Sequence, residues 1–204
     1  MFKVYGFRGS GNCYKVELAL TRLGLDYDWI ECDILAGTTR TPAFLAINPN
    51  GRIPVLELPD GRSLPESNAI LCYLAEGSAL MPEDRFARAQ VLQWMFFEQY
   101  SHEPYIAVAR FIQRYLGNPP EHAERARRCV QPGYAALDVM ERHLAARSYF
   151  VGERCSVADL ALYAYTHVAH EGGFSLADYP AVRAWLTRVA SQPEHIAMEA
   201  TNHA

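Results

Sequence analysis

Two short stretches of the chain carry residue types that could hold a charged ligand. Pro65-Glu66-Ser67-Asn68-Ala69-Ile70 places a carboxylate and a hydroxyl immediately before an apolar helical pattern. Ser67 then sits at a helix N-terminus, where free N–H groups and the helix dipole attract an anion. Glu66 beside it could hold an ammonium group. An α-amino acid carries both charges, so the pair suits one; an ordinary helix cap uses the same residues. The second stretch is Asn48-Pro49-Asn50-Gly51-Arg52-Ile53-Pro54-Val55-Leu56. Pro54 directly before an apolar strand lacks the N–H that pairs neighbouring strands. It makes sense if the Ile53–Pro54 bond is cis and the turn exposes the backbone of Ile53; an edge strand that begins with proline is the alternative.

Other chemistries find less support. Cys13, Cys32, Cys72, Cys129 and Cys155 are scattered without CxxC or Cys/His spacing, which argues for reduced thiols and against a zinc site. His102, His167 and His170 have no ligand or triad spacing. The formal charge of −4 comes without a long basic run, so nucleic acid is not the expected partner. No apolar stretch approaches the length of a membrane span, and Met1-Phe2-Lys3-Val4-Tyr5 reads as a strand rather than a signal peptide. A cytoplasmic protein that engages neither membrane nor nucleic acid is expected.

The elements that must position these groups alternate over the first 76 residues. Phe2 to Phe7 is a β-rich run ended by Gly9-Ser10-Gly11. Cys13, Val16, Ala19, Leu20 and Leu23 follow at helical spacing, with Gly24 where a C-terminal cap belongs. Tyr27 to Cys32 is a second strand, parallel to the first across the intervening helix. Thr41-Pro42 opens a short helix, and Pro59-Asp60-Gly61-Arg62 is a hairpin turn between two further strands. With the helix at Glu66, the order β-α-β-α-β-β-α predicts a small mixed sheet covered by helices.

After Glu76 the character changes. Residues 77–83 read as a linker, and 84–204 as an all-helical domain with helices over 84–116, 121–146, 156–169 and 179–191. Pro104 falls inside the first of these and should kink it. Ser156-Val157-Ala158-Asp159 has the form of a capping box.

The cis-proline segment, the Glu-Ser pair before a helix and the later capping box, in that order, resemble the cytosolic glutathione transferases, and the resemblance covers essentially the whole chain. It implies a two-domain fold: a thioredoxin-like α/β domain over 1–76 and an α-helical bundle over 84–204. It also implies an enzyme of detoxification type, in which the thiolate of glutathione attacks a small hydrophobic electrophile. Glutathione is the co-substrate, with no metal or nucleotide, and the protein is a homodimer joined through the first domain of one subunit and the helical domain of the other. The alternatives are a glutathione-dependent disulfide reductase, peroxidase or isomerase on the same site, and a noncatalytic interaction module.

The resemblance also distributes roles. The backbone of Ile53, ahead of Pro54, would pair with the cysteine of glutathione, and Glu66 and Ser67 would hold its γ-glutamyl end. Arg40 and Arg52 are candidates for its glycine carboxylate. A thiol of ordinary pKa is mostly protonated at neutral pH, so a donor must stabilise the thiolate. Ser10 matches the serine of the theta-like and bacterial classes. Asn12 stands where proline is commoner, and either shares the donor role or caps the first helix. Tyr5, inside the first strand, and Cys13, at the helix start, are the alternatives from the tyrosine and cysteine types. Aromatic residues crowd the kinked helix; most are core by their spacing, with Tyr105, beside Pro104, and Phe111 as candidates for the second-substrate pocket.

Overall fold

Alternation along the first strand already assigns its two faces. In the computed structural model, which describes residues 1–198, Val4 and Gly6 of strand β1 (Phe2–Gly6) face a helix that begins five residues later. Tyr5 points the other way. Strand β2 (Tyr27–Glu31) pairs with β1 in parallel, Val4 opposite Trp29. Strand β3 (Val55–Glu57) lies antiparallel on the other side, Val4 opposite Leu56, and β4 (Ser63–Pro65) completes the sheet in the order β2-β1-β3-β4. The β3–β4 connection is the turn at Gly61, whose φ of 84° only glycine adopts without strain.

Helix α1 (Gly11–Arg22) starts at the N-cap Ser10 and stops where Gly24 enters the left-handed region, the amide of Leu25 returning to the carbonyl of Leu20. It packs against α3 (Ser67–Ala75), and Val16, Leu20, Leu56, Ile70 and Leu71 are buried between these elements and the sheet. On the opposite face α2 (Pro42–Ile47) places Phe44 against Val55 and Cys32, with Tyr5, Ile47 and Ile53 at the rim.

The second compact unit, Ala79–Gln192, has no strand. Helix α4 (Arg85–Phe97) runs through a π-helical stretch, Glu98–His102, into α5 (Glu103–Arg110). Pro104 in the first turn of α5 lacks an amide hydrogen and crowds the preceding turn, so the predicted kink takes the form of this widened stretch. A second π-helical stretch, Phe111–Tyr115, follows α5. Helices α6 (Ala123–Leu144), α7 (Val157–Thr166) and α8 (Pro180–Ala190) complete the unit. The capping box is present, and its acid does more than cap. The carboxylate of Asp159, fully buried, accepts from the amide and hydroxyl of Ser156 (2.9 and 3.0 Å), the amide of Phe150 (3.1 Å) and the indole of Trp185 (2.9 Å).

Sequence reading places the end of the chain with the helical domain. Residues 193–198 instead belong to the first unit, with Met1–Ser78. The hydroxyl of Tyr14, on α1, donates to the carbonyl of Ile196 at 2.6 Å.

Candidate functional site

The loop from β1 into α1 presents Ser10 and Asn12. The amide of Ser10 donates to the carbonyl of Phe7 (2.8 Å), and its own carbonyl accepts from the amides of Cys13 and Tyr14. Its hydroxyl accepts a long bond from the amide of Cys13 (3.4 Å). Ser10 is therefore the cap of α1 and Asn12 is not; Asn12 is the second residue of the helix. The two remaining alternatives fare differently. The Cys13 thiol is fully buried, and burial pushes its pKa up to about 12, so it is not a thiolate at neutral pH. The Tyr5 hydroxyl donates to Glu57 Oε2 at 2.7 Å, and Lys3 holds the other oxygen of the same carboxylate. These bonds keep Glu57 below the usual carboxylate range, first through Lys3.

A buried asparagine organises the loop before β3. Asn48 Nδ2 donates to the carbonyl of Arg52 (2.8 Å), and its Oδ1 accepts the amide of Asn50 (3.1 Å). The chain turns at Gly51, whose φ is 62°, and the Ile53–Pro54 peptide is cis. Gly51 has no room for a side chain: a Cβ there would meet the guanidinium of Arg40 and the carbonyl of Thr39. Arg40 lies across this loop and donates to the carbonyl of Asn50 (3.3 Å), whereas the Arg52 side chain is exposed. Ile53 is half-buried and Pro54 buried.

At the head of α3, Glu66 is exposed and adopts φ 71°, ψ 107°, a conformation that L-residues avoid. Such an outlier is a mark of function when the surrounding structure holds it. Ser67 is the first residue of the helix and is 5% exposed; its hydroxyl donates to Asn12 Oδ1 at 3.3 Å. One residue further, Asn68 Oδ1 accepts from Lys15 Nζ at 2.9 Å. Asn12 and Lys15 are three apart on α1 and thus share a face. Asn48 and Asn68 stand in the two sequence motifs without an assigned role, and Lys15 went unremarked, although a lysine amid the apolar positions of α1 is a signal that could have been followed.

The structure thus brings Asn12 and Ser67 into contact and sets Arg40 against the loop that carries Ile53. Tyr105 and Phe111 lie elsewhere, half-buried in the helical unit, with Phe111 against Tyr115 at 5.9 Å between ring centres. Trp94, Tyr163 and Tyr165 are buried core residues. Among the described residues, no group of three or more acidic, cysteine or histidine side chains is arranged to hold a metal, and no helix is long and apolar enough to cross a membrane.

Residues 4–80 match the family of the glutathione S-transferase N-terminal domain, and residues 105–193 that of the C-terminal domain. The chain is 61% identical to a glutathione S-transferase of solved structure from Pseudomonas fluorescens, with a TM-score of 0.95 over 97% of this chain and 98% of that one. It is 33% identical to glutathione S-transferase 3 of Zea mays (94% of this chain, 90% of the relative). It is 32% identical to the disulfide-bond oxidoreductase YfcG of Escherichia coli (92% and 89%). Ure2p in complex with glutathione superposes with a TM-score of 0.84 at 26% identity, covering 95% of this chain and 90% of that one.

Proposed function

The chain belongs to the glutathione S-transferase family, and on that premise we propose that it binds glutathione in its first unit and transfers the thiolate to a small hydrophobic electrophile. The observation that carries this reading is the head of α3, where Glu66 is held in a disfavoured conformation beside a helix N-terminus joined to Asn12. Ser67 and the free amides of the helix take the γ-glutamyl carboxylate, and Glu66 takes the amino group. The backbone of Ile53 pairs with the cysteine residue of the tripeptide as an added strand, Pro54 fixing the turn. Arg40 reaches the glycine carboxylate from its place across the loop, with Arg52 as its second cation. Ser10 donates its hydroxyl hydrogen to the sulfur and Asn12 supports it, which lowers the thiol pKa. Tyr105 and Phe111 line the pocket of the apolar co-substrate.

Similarity to a disulfide-bond oxidoreductase supports a second reaction at the same site. There the glutathione thiolate attacks one sulfur of a disulfide, the S–S bond breaks, and the other sulfur leaves as a thiolate. In this reading glutathione supplies the nucleophile, and Cys13, buried and with its pKa raised to about 12, does not.

The subunit is proposed to pair with a second copy. Phe86, Phe96 and Tyr100 are 71%, 70% and 83% exposed along α4 and its π-helical continuation, an apolar stripe with no cover in the isolated chain. None of the five cysteines is in a disulfide, and a cytoplasmic location is part of this reading. Calorimetric titration with glutathione, followed by rate assays against a panel of aryl halides, epoxides and disulfides, tests the reading. Absence of glutathione binding would refute it, and turnover of disulfides alone would leave only the second reaction.

A further inference from the structure

Phe7, Arg8, Gly9 and Ser10 lie between the end of β1 and the start of α1, closed as a turn by the bond from the amide of Ser10 to the carbonyl of Phe7 (2.8 Å). Arg8 ties this turn to two other elements. Its Nη1 donates to Glu17 Oε1, about two turns along α1 from Ser10, at 2.9 Å. Its guanidinium carbon lies 4.7 Å from the centre of the Trp29 ring, on β2. Its own amide donates to Glu31, at the end of β2, at 3.4 Å. Each of these partners is anchored in turn. Glu17 is buried and also accepts the hydroxyl of Tyr27 (2.8 Å), and the indole N–H of Trp29 donates to Glu31 (2.6 Å). The Trp29 ring is seated against β1 at Gly6, where a Cβ would come within 2.7 Å of it.

Stability is a poor account of this arrangement. The Arg8 side chain is 30% exposed, and an ion pair that water reaches adds little to a fold. What the geometry supplies is orientation, because a planar guanidinium that is both stacked and hydrogen-bonded has one way to sit. A donor has to be held to within about 0.5 Å to act on a reacting atom, and Ser10 is two residues from Arg8. Resting on the reading of Ser10 as the donor to the thiolate, we propose that Arg8 is a positioning residue for Ser10. It clamps the β1–α1 turn against Glu17 and Trp29, and so fixes the serine hydroxyl relative to the sulfur. The Glu17 carboxylate at 2.9 Å offsets its charge, so Arg8 acts through the serine and not as a cation.

The test is the ultraviolet thiolate absorbance of bound glutathione against pH, in the full chain, for Arg8→Lys, Arg8→Met, Ser10→Ala and the double variant of Arg8→Met with Ser10→Ala. Lysine keeps the charge and loses the planar fork and the stack. Both Arg8 variants are expected to raise the proton affinity of the bound thiolate about tenfold, less than the hundredfold that a displacement of about 1 Å can cost. Calorimetric affinity for S-methylglutathione, which has no thiol to ionise, stays at the parent's value. In the double variant Arg8→Met adds nothing to Ser10→Ala, as it must if the one residue acts through the other. Trp29→Leu removes the stack, leaves the Arg8–Glu17 pair, and raises the proton affinity in the same direction; it decides the matter if the Arg8 variants do not fold. Parent behaviour in Arg8→Lys, additive shifts in the double variant, a matching loss of S-methylglutathione affinity, or an unchanged titration in Trp29→Leu would each overturn the positioning role. A Ser10→Ala titration that overlays the parent's would instead overturn the reading of Ser10 on which it rests.

Discussion

The hydroxyl of Ser67 donates to Oδ1 of Asn12 across 55 positions of sequence, at 3.3 Å, and so joins the first turns of two helices. In the site proposed above, this bond is where the head of α3 and the loop from β1 into α1 meet.

Glu66 combines the charge proposed to hold the amino group of glutathione with a backbone conformation that folding resists. Glu66→Gly should relieve a cost of about 1–3 kcal/mol for the positive φ, and so melt above the parent. Glu66→Ala keeps the strained backbone and should melt near the parent. Both should lose about 1.5–3 kcal/mol of glutathione affinity, the worth of a charge-assisted hydrogen bond. Parallel melting curves and titrations separate the two effects, and affinity retained by either variant would remove Glu66 from the cradle.

Ser10→Ala should raise the apparent pKa of bound glutathione while leaving its affinity nearly intact. The hydroxyl interacts more strongly with sulfur when the sulfur is charged, whereas affinity comes from Ile53 and the head of α3. Loss of one preorganised donor costs about 2.7–4 kcal/mol in comparable sites. The same substitution removes the cap of α1, so a drop in stability of about 0.5–2 kcal/mol should accompany it. Ultraviolet thiolate absorbance against pH reads the first effect; a titration that overlays the parent's would exclude Ser10.

Cys13 should behave as an inert thiol. Its folded pKa of about 12 lies above the ordinary value of 9.0, so the protonated form is the one that folding favours. The stability from this group is fully present below pH 9 and is lost as pH rises from there toward 12. Iodoacetamide should modify Cys13 slowly at pH 8 in the native protein, and Cys13→Ser should keep any glutathione-dependent disulfide reduction. Loss of that activity in a folded Cys13→Ser variant would restore the thiol as nucleophile.

Asp159→Ala should cost more than a helix cap. A capping residue is worth about 0.5–2 kcal/mol, but here the change orphans four donors from Ser156, Phe150 and Trp185 in the core of the helical unit. A loss of about 3–5 kcal/mol is expected in urea unfolding, because each buried donor left without a partner costs about 1–3 kcal/mol. A loss inside the ordinary cap range would show that the remaining donors find other partners.

Local rules were enough for much of this protein. Strand alternation, the helical spacing after Ser10, the turn at Gly61 and the Thr41-Pro42 start are short-range signals, and each reports its own element. The same holds for Ser67 at a helix head, because caps are decided by a few adjacent residues. What depends on approach between distant segments could not be read this way. Asn12 meets Ser67, and Lys15 meets Asn68, only because α1 and α3 pack on one face of the sheet. Asp159 is a cap by sequence, and becomes the centre of a four-donor network only when Trp185 arrives from α8. Residues 193–198 show the limit most plainly. Nothing in their composition distinguishes them from the helical unit before them, and it is the hydroxyl of Tyr14, 182 positions away, that ties them to the first.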